Sequence, residues 1–75
     1  MNDDSVRDVP ITGEPIRLGQ FLKLAGLAEN GSHVKDLIDA DEVTVNDELE
    51  TRRGRQLKHG DIVAVGSMRG RVVLT

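Results

Sequence analysis

Residues 18–27 read LGQFLKLAGL, and this stretch decides the fold because its apolar residues recur at helical spacing. The apolar positions are Leu18, Phe21, Leu22 and Ala25. They follow the i, i+3, i+4, i+7 pattern that gives a helix one apolar face. Gly26 suits a left-handed C-terminal cap, after which Leu27 can fold back against the helix. The stretch therefore predicts a short amphipathic helix that begins at Leu18 and ends before Gly26.

A second helix is predicted directly after the first. Its apolar positions are Val34, Leu37 and Ile38, which repeat the three-four spacing. Asn30 and Ser32 both have side chains suited to an N-cap, so the helix should run from about Ser32 to Ala40. Only a tight connection separates the two helices. We therefore expect them to pack against each other as a helix-turn-helix pair in the general sense.

The rest of the chain has the alternation typical of strands. A first strand is predicted at Val43 and Val45, with Asn46-Asp47 as the turn that follows it and Leu49 beyond the turn. A second pair of strands is predicted at residues 62–65 and 71–74, joined by residues 66–70. The fold class is therefore α+β, with two short helices packed on a small, mainly antiparallel sheet.

Residues 1–15 differ in composition from the rest. This segment holds four acids, one base and both prolines, and it accounts for the whole formal net charge of -3, because residues 16–75 carry nine charges of each sign. We interpret residues 1–15 as a flexible acidic leader, with a short edge strand at Val9-Pro10-Ile11, and residues 16–75 as the folded domain.

Composition excludes several classes of protein. The chain has no cysteine, so it forms no disulfide and no thiolate metal site. No apolar run approaches the roughly 20 residues that span a bilayer, and the first residues are acidic where a secretory signal would be basic. We therefore expect a cytoplasmic monomer with no membrane partner.

Catalytic motifs are missing from the sequence. The glycines do not have phosphate-loop spacing, and no serine lies in a nucleophile motif. The two histidines, His33 and His59, do not have the spacing of a zinc pair. The sequence therefore predicts a protein that is not an enzyme and that uses no cofactor and no metal.

A concentrated basic segment lies between the predicted strands. Residues 51–58 contain four positive charges and no acid, at Arg52, Arg53, Arg55 and Lys58. Arginine binds phosphate well because its planar guanidinium can donate two parallel hydrogen bonds. Lys23 and Lys35 lie off the apolar faces of the two predicted helices and could join the same surface.

A second interpretation of these bases remains open. Residues 36–50 hold seven acids and no base, so the arginines could pair with Asp47, Glu48 and Glu50 across a hairpin. Lys35 could likewise pair with Asp36 or Asp39 at helical spacing. The resulting bipolar surface would then suit a module that docks on another protein.

The single aromatic residue limits how a nucleic acid could bind. Phe21 belongs to the apolar face of the first helix, so no aromatic side chain is left to stack on bases. A nucleic acid would have to be held through phosphates, sugars and shape. This favours structured or double-stranded RNA over an extended single strand.

Several blocks of the sequence, in order, resemble the S4 RNA-binding domain family, especially its small stand-alone bacterial members. The matching positions are Arg17-Leu18, Phe21-Leu22-Lys23, Leu27, Gly31-Ser32, Lys35, Leu37-Ile38, Val43, Val45-Asn46, Arg52-Arg53-Gly54-Arg55, Leu57 and Gly60-Asp61. The resemblance implies an α-L arrangement of two helices on a small sheet. It also implies binding of structured RNA, commonly ribosomal RNA, with ribosomal or RNA-processing proteins as further partners.

The resemblance assigns the RNA contacts to the helix pair and the loop that follows. These contacts would fall on Lys23, Ser32, His33, Lys35, Arg52, Arg53, Arg55 and Lys58. Three departures from the family pattern stand out. Asn30-Gly31 replaces the usual Ser-Arg or Thr-Arg, and Asp41 and Asp47 occupy positions where glycine is common.

Overall fold

The computed structural model describes residues 6–75 of the chain. Its nine elements are β1 (Val6–Ile11), β2 (Ile16–Arg17), α1 (Leu18–Leu24), α2 (Gly31–Asp39), β3 (Val43–Val45), β4 (Glu48–Leu49), β5 (Gln56–Leu57), β6 (Ile62–Val65) and β7 (Met68–Leu74). The expected α+β class, with two short helices and a small sheet, is confirmed. The second helix begins one residue earlier than expected, and β7 begins three residues earlier.

Five of the strands form one mixed sheet in the order β1-β7-β6-β3-β4. β1 pairs with β7 in parallel, and the other three pairings are antiparallel, as expected for a mainly antiparallel sheet. β2 and β5 form a separate antiparallel pair, in which Ile16 lies opposite Leu57. This pair was not predicted, because two-residue strands are too short to show alternation.

The helices and the sheet share a single hydrophobic core. The side chains of Phe21, Leu18 and Leu22 on α1 are completely buried, and they lie in one cluster with the valines of β3, β6 and β7. A Cβ at Gly70 of β7 would lie 3.5 Å from the Phe21 ring, so glycine at this position allows the close approach of α1 to the sheet. Because side chains alternate along a strand, Arg69 and Arg71 point to the opposite face of the sheet.

The end of α1 and the start of α2 are both capped as their sequences predict. Gly26 follows α1 with φ of +76°, and the Leu27 N–H donates to the Leu22 carbonyl at 2.9 Å. This is the predicted glycine cap with its apolar residue folded back. The Asn30 side chain caps α2 by accepting a hydrogen bond from the His33 N–H at 2.9 Å. Of the two candidate caps, the structure uses Asn30.

The two aspartates that depart from the family pattern both lie in left-handed backbone. Asp41 has φ of +58° immediately after α2, and Asp47 has φ of +71° in the turn between β3 and β4. Asn46 precedes Asp47 with φ of +53°. Glycine adopts these conformations without a steric cost, whereas aspartate tolerates them at some cost. The chain therefore keeps the backbone geometry that a glycine would favour.

Asp41→Gly is expected to stabilise the domain by about 0.5 kcal/mol, because it removes the strain of a Cβ at positive φ. Asp36→Gly is a matched control within α2, where glycine should destabilise the helix by about 0.3 kcal/mol. Urea unfolding followed by circular dichroism measures both changes. Destabilisation by Asp41→Gly would contradict the assignment of strain to this position.

The structure corrects part of the prediction for the amino-terminal segment. The predicted edge strand at Val9-Pro10-Ile11 is present, but it begins at Val6, so that β1 spans Val6–Ile11 at the edge of the sheet. Val9 and Ile11 are buried in the core, and the Arg7 side chain donates to the Ala25 carbonyl at the end of α1. Charged exposed residues on an edge strand gave this segment the composition of a leader. The part of the leader at residues 1–5 lies outside the described residues.

Candidate nucleic-acid interface

A loop rich in arginine is attached directly to the first helix. We call residues 51–55 the arginine loop. The backbone N–H groups of Leu18 and Gly19, the first two of α1, donate to the carbonyls of Arg55 at 2.8 Å and Arg53 at 2.9 Å. Helix N-termini otherwise leave such donors without a partner. These hydrogen bonds fix the position of the arginine loop relative to α1.

A groove of about 300 Å³ opens between α1, the start of α2 and the arginine loop. It is lined by Arg17, Gly19, Gln20, Lys23, Gly31, Val34, Arg53 and Gly54. We call it the basic groove, because three of these residues are cations and none is an acid. A Cβ at Gly31 would have no neighbour within 4 Å, so no side chain covers the backbone of Gly31 where it lines the groove. Such a surface allows a phosphate to approach closely.

The cations of the basic groove differ in how they are held. Arg17 donates from Nη1 to the Gly54 carbonyl at 3.1 Å, which orients its guanidinium across the groove. Lys23 and Arg53 are exposed, and neither side chain has a hydrogen bond or ion pair with another residue in 6–75. Their charges are therefore available to an anionic ligand.

Lys35 lies in a neighbouring hollow that it shares with Arg53. Its Nζ is 2.7 Å from Oδ2 of Asp39, and this hydrogen bond raises the pKa of Lys35. The pairing at four-residue spacing is one of the alternatives that the sequence left open. Both side chains are more than 60% exposed, so the pair is weak and a phosphate could replace the carboxylate.

Arg52 and Arg55 both donate to a buried carboxylate, although the Arg52 side chain is itself 74% exposed. The Glu50 side chain is 5% exposed, and its two oxygens accept from Arg52 Nε at 3.0 Å, Arg52 Nη2 at 3.3 Å and Arg55 Nη1 at 3.0 Å. The Arg52 backbone N–H also donates to Glu50 at 2.9 Å. The sequence left open that the arginines pair with nearby acids. Arg52 and Arg55 do so, and Glu50 is their partner.

The same hydrogen bonds control the protonation of Glu50. The Arg52 side chain contributes most, and together with the Arg52 N–H and Arg55 it lowers the pKa of Glu50 to about 2, although burial alone would raise it. Because the folded pKa lies below the ordinary value of 4.5, the carboxylate stabilises the fold above about pH 4.5. That contribution is lost as the pH falls from 4.5 toward 2.

Glu50→Gln is expected to destabilise the domain by about 2 kcal/mol at pH 7 and by less at pH 3. The reason is that at pH 3 the Glu50 carboxyl is largely protonated in the unfolded chain, so part of the stability that its low folded pKa contributes is already lost. Glu48→Gln is the control, because Glu48 is exposed and its side chain has no partner in the described part of the chain. Urea unfolding at both pH values measures the difference, and an equal cost at pH 7 and pH 3 would contradict the account.

The remaining predicted contacts lie outside the basic groove. Ser32 is exposed in the first turn of α2 and lines no part of the groove. His33 Nδ1 accepts from the Glu29 N–H at 3.0 Å, so its ring helps to hold the connection between the helices. Lys58 lies in a separate hollow with Arg55 and Asp61. The structure thus brings Lys23 and Arg53 together, places Lys35 beside Arg53, and sets Lys58 apart.

Sequence reasoning did not include Arg17 and Gln20 among the contacts. Both line the basic groove, and the Arg17 N–H donates to Gln20 Oε1 at 3.1 Å. A usable signal was present, because Arg17, Gln20 and Lys23 are three residues apart and therefore follow one stripe of a helix.

Other kinds of site find no support in residues 6–75. None of the helices there is long and apolar enough to cross a membrane. Histidine and carboxylate side chains in the same range form no cluster of three that could hold a metal ion.

The fold and the basic groove together define a small S4-type RNA-binding domain, and comparison with known proteins agrees. Residues 9–73 match the S4 domain family, so the chain belongs to this family. The chain is also similar to the probable ribosome maturation protein RlbA of Bacillus subtilis (strain 168). The two are 47% identical over 57 residues, which cover 76% of this chain and 80% of the relative.

Proposed function

We propose that this protein binds structured RNA without catalysing a reaction, and that its natural ligand is ribosomal RNA during ribosome maturation. The observation that carries the proposal is the basic groove, where Arg17, Lys23 and Arg53 surround a space with no acidic wall. The name of the Bacillus subtilis relative, a probable ribosome maturation protein, supports the process.

The chemistry of the groove favours phosphate contacts over base stacking. Phe21 is the only aromatic residue of the chain, and it is completely buried. Recognition of single-stranded RNA commonly relies on exposed aromatic rings, whereas folded RNA is bound through its shape, its sugars and its phosphates. Lys35, beside the groove, would add a further contact when a phosphate replaces Asp39.

The proposal predicts a salt-dependent preference for folded RNA. We expect a ribosomal RNA hairpin to bind more tightly than an unstructured oligouridine of equal length. Three phosphate contacts should give a slope of about -2 to -3 in a plot of log affinity against log salt. Fluorescence anisotropy between about 50 and 200 mM salt measures both quantities. Equal binding of the two RNAs, or affinity that does not depend on salt, would overturn the proposal.

A further inference from the structure

The arginine loop is folded around Glu50. This carboxylate receives four hydrogen bonds, two from the Arg52 guanidinium, one from the Arg52 N–H and one from the Arg55 guanidinium. The Arg55 N–H also donates to the Arg52 carbonyl at 3.1 Å, which closes a turn with Arg53 and Gly54 at its corners. Glu50 therefore holds both ends of this turn, while the N–H groups of α1 hold the carbonyls of Arg53 and Arg55.

The turn separates the three arginines into two groups. Arg52 and Arg55, at its ends, point back to Glu50, whereas Arg53 lies at the corner and lines the basic groove. The Arg53 carbonyl is fixed by the Gly19 N–H, and its guanidinium has no partner within residues 6–75. A guanidinium held by a buried carboxylate is costly to detach, because the carboxylate would be left without its counter-charge.

We infer that Glu50 is a positioning residue for RNA binding, which ties the guanidinium groups of Arg52 and Arg55 to itself and presents Arg53 to the RNA. The inference rests on the proposed function, and it narrows the contact set to residues of the basic groove. It also separates two effects of Glu50 that act in opposite directions. Its charge repels RNA, and its hydrogen bonds hold the loop in the shape that binds RNA.

Glu50→Gln distinguishes these two effects by the sign of the result. The substitution adds one positive unit to the net charge, so the electrostatic field alone would tighten RNA binding. Loss of positioning would instead weaken binding, because Arg53 would no longer be held at the groove. Glu48→Gln changes the net charge equally, two residues away, on a side chain with no partner among residues 6–75.

The test compares both variants with the wild type in binding to a ribosomal RNA hairpin, below their unfolding temperatures. We expect Glu50→Gln to bind about tenfold more weakly, with a salt slope reduced by about 0.7 to 0.9. Glu48→Gln should bind as tightly as the wild type or slightly more tightly. Partial unfolding would lower the active fraction but leave the slope unchanged, so the slope separates positioning from stability. Binding of Glu50→Gln as tight as that of Glu48→Gln would overturn the inference.

A measurement on the wild-type protein covers the case in which Glu50→Gln does not fold. In nitrogen-15 NMR spectra, the Nε–H resonance of Arg53 should shift when the hairpin is added, whereas that of Arg52 should stay in place. A large shift of the Arg52 resonance would overturn the inference while leaving RNA binding intact. Absence of any wild-type binding would instead count against the proposed function.

Discussion

Replacing Lys23 and Arg53 together by alanine is expected to weaken binding of a ribosomal RNA hairpin about a hundredfold. These side chains carry the two charges of the basic groove that have no partner within residues 6–75. Each lost phosphate contact should reduce the salt slope by about 0.7 to 0.9. Anisotropy titrations at several salt concentrations measure the affinity and the slope together.

A matched control removes the same amount of charge elsewhere. The double variant Arg69→Ala, Arg71→Ala has the same net charge of -5, but its substitutions lie on the sheet face that points away from the helices. We expect it to lose less than threefold in affinity, because these half-buried arginines lie on the other face of the sheet and Arg71 is already paired with Asp8 at 2.6 Å. Equal losses in the two double variants would show that net charge, and not the basic groove, determines binding.

The second large effect concerns the core that supports the basic groove. Phe21→Ala should destabilise the domain by about 3 to 5 kcal/mol, because it empties a fully buried site. A domain of this size has a total stability of about 4 to 11 kcal/mol, so much of the variant should be unfolded. Since the chain lacks tryptophan and tyrosine, urea unfolding is best followed by far-ultraviolet circular dichroism.

Leu24→Ala is the control for this prediction. Leu24 lies three residues after Phe21 on α1, and 55% of its surface is exposed. Its truncation should change the free energy of unfolding by less than about 0.5 kcal/mol. Similar losses for the two variants would contradict the placement of Phe21 at the centre of the core.

The helices could be predicted because their signals are local. The apolar spacing of α1 and the glycine that ends it lie within ten residues, and the structure follows both. The pairing of β1 with β7 joins residues more than 60 positions apart, as Val6 with Arg69. No local pattern encodes such a pairing, so the sequence predicts only a short edge strand at Val9-Pro10-Ile11, without its partner and without its first three residues. Its register depends on burial of Val9 and Ile11 in a core formed by the rest of the chain.

The site was predictable in its charges but not in its geometry. The sequence shows four bases in residues 51–58 and several acids before them, but it does not say which acid becomes buried. In the structure Glu50 is the acid that is buried, and it forms ion pairs with Arg52 and Arg55. Arg17 was overlooked because its role depends on the Gly54 carbonyl, 37 residues away.

The most direct test of the central claim is a map of the RNA contact on the protein. Backbone nitrogen-15 NMR spectra recorded during titration with a ribosomal RNA hairpin report which amides change environment. The account predicts that the largest shifts fall on Gly19, Gly31, Arg53 and Gly54 around the basic groove. Largest shifts on β7, around Arg69 and Arg71, would contradict it.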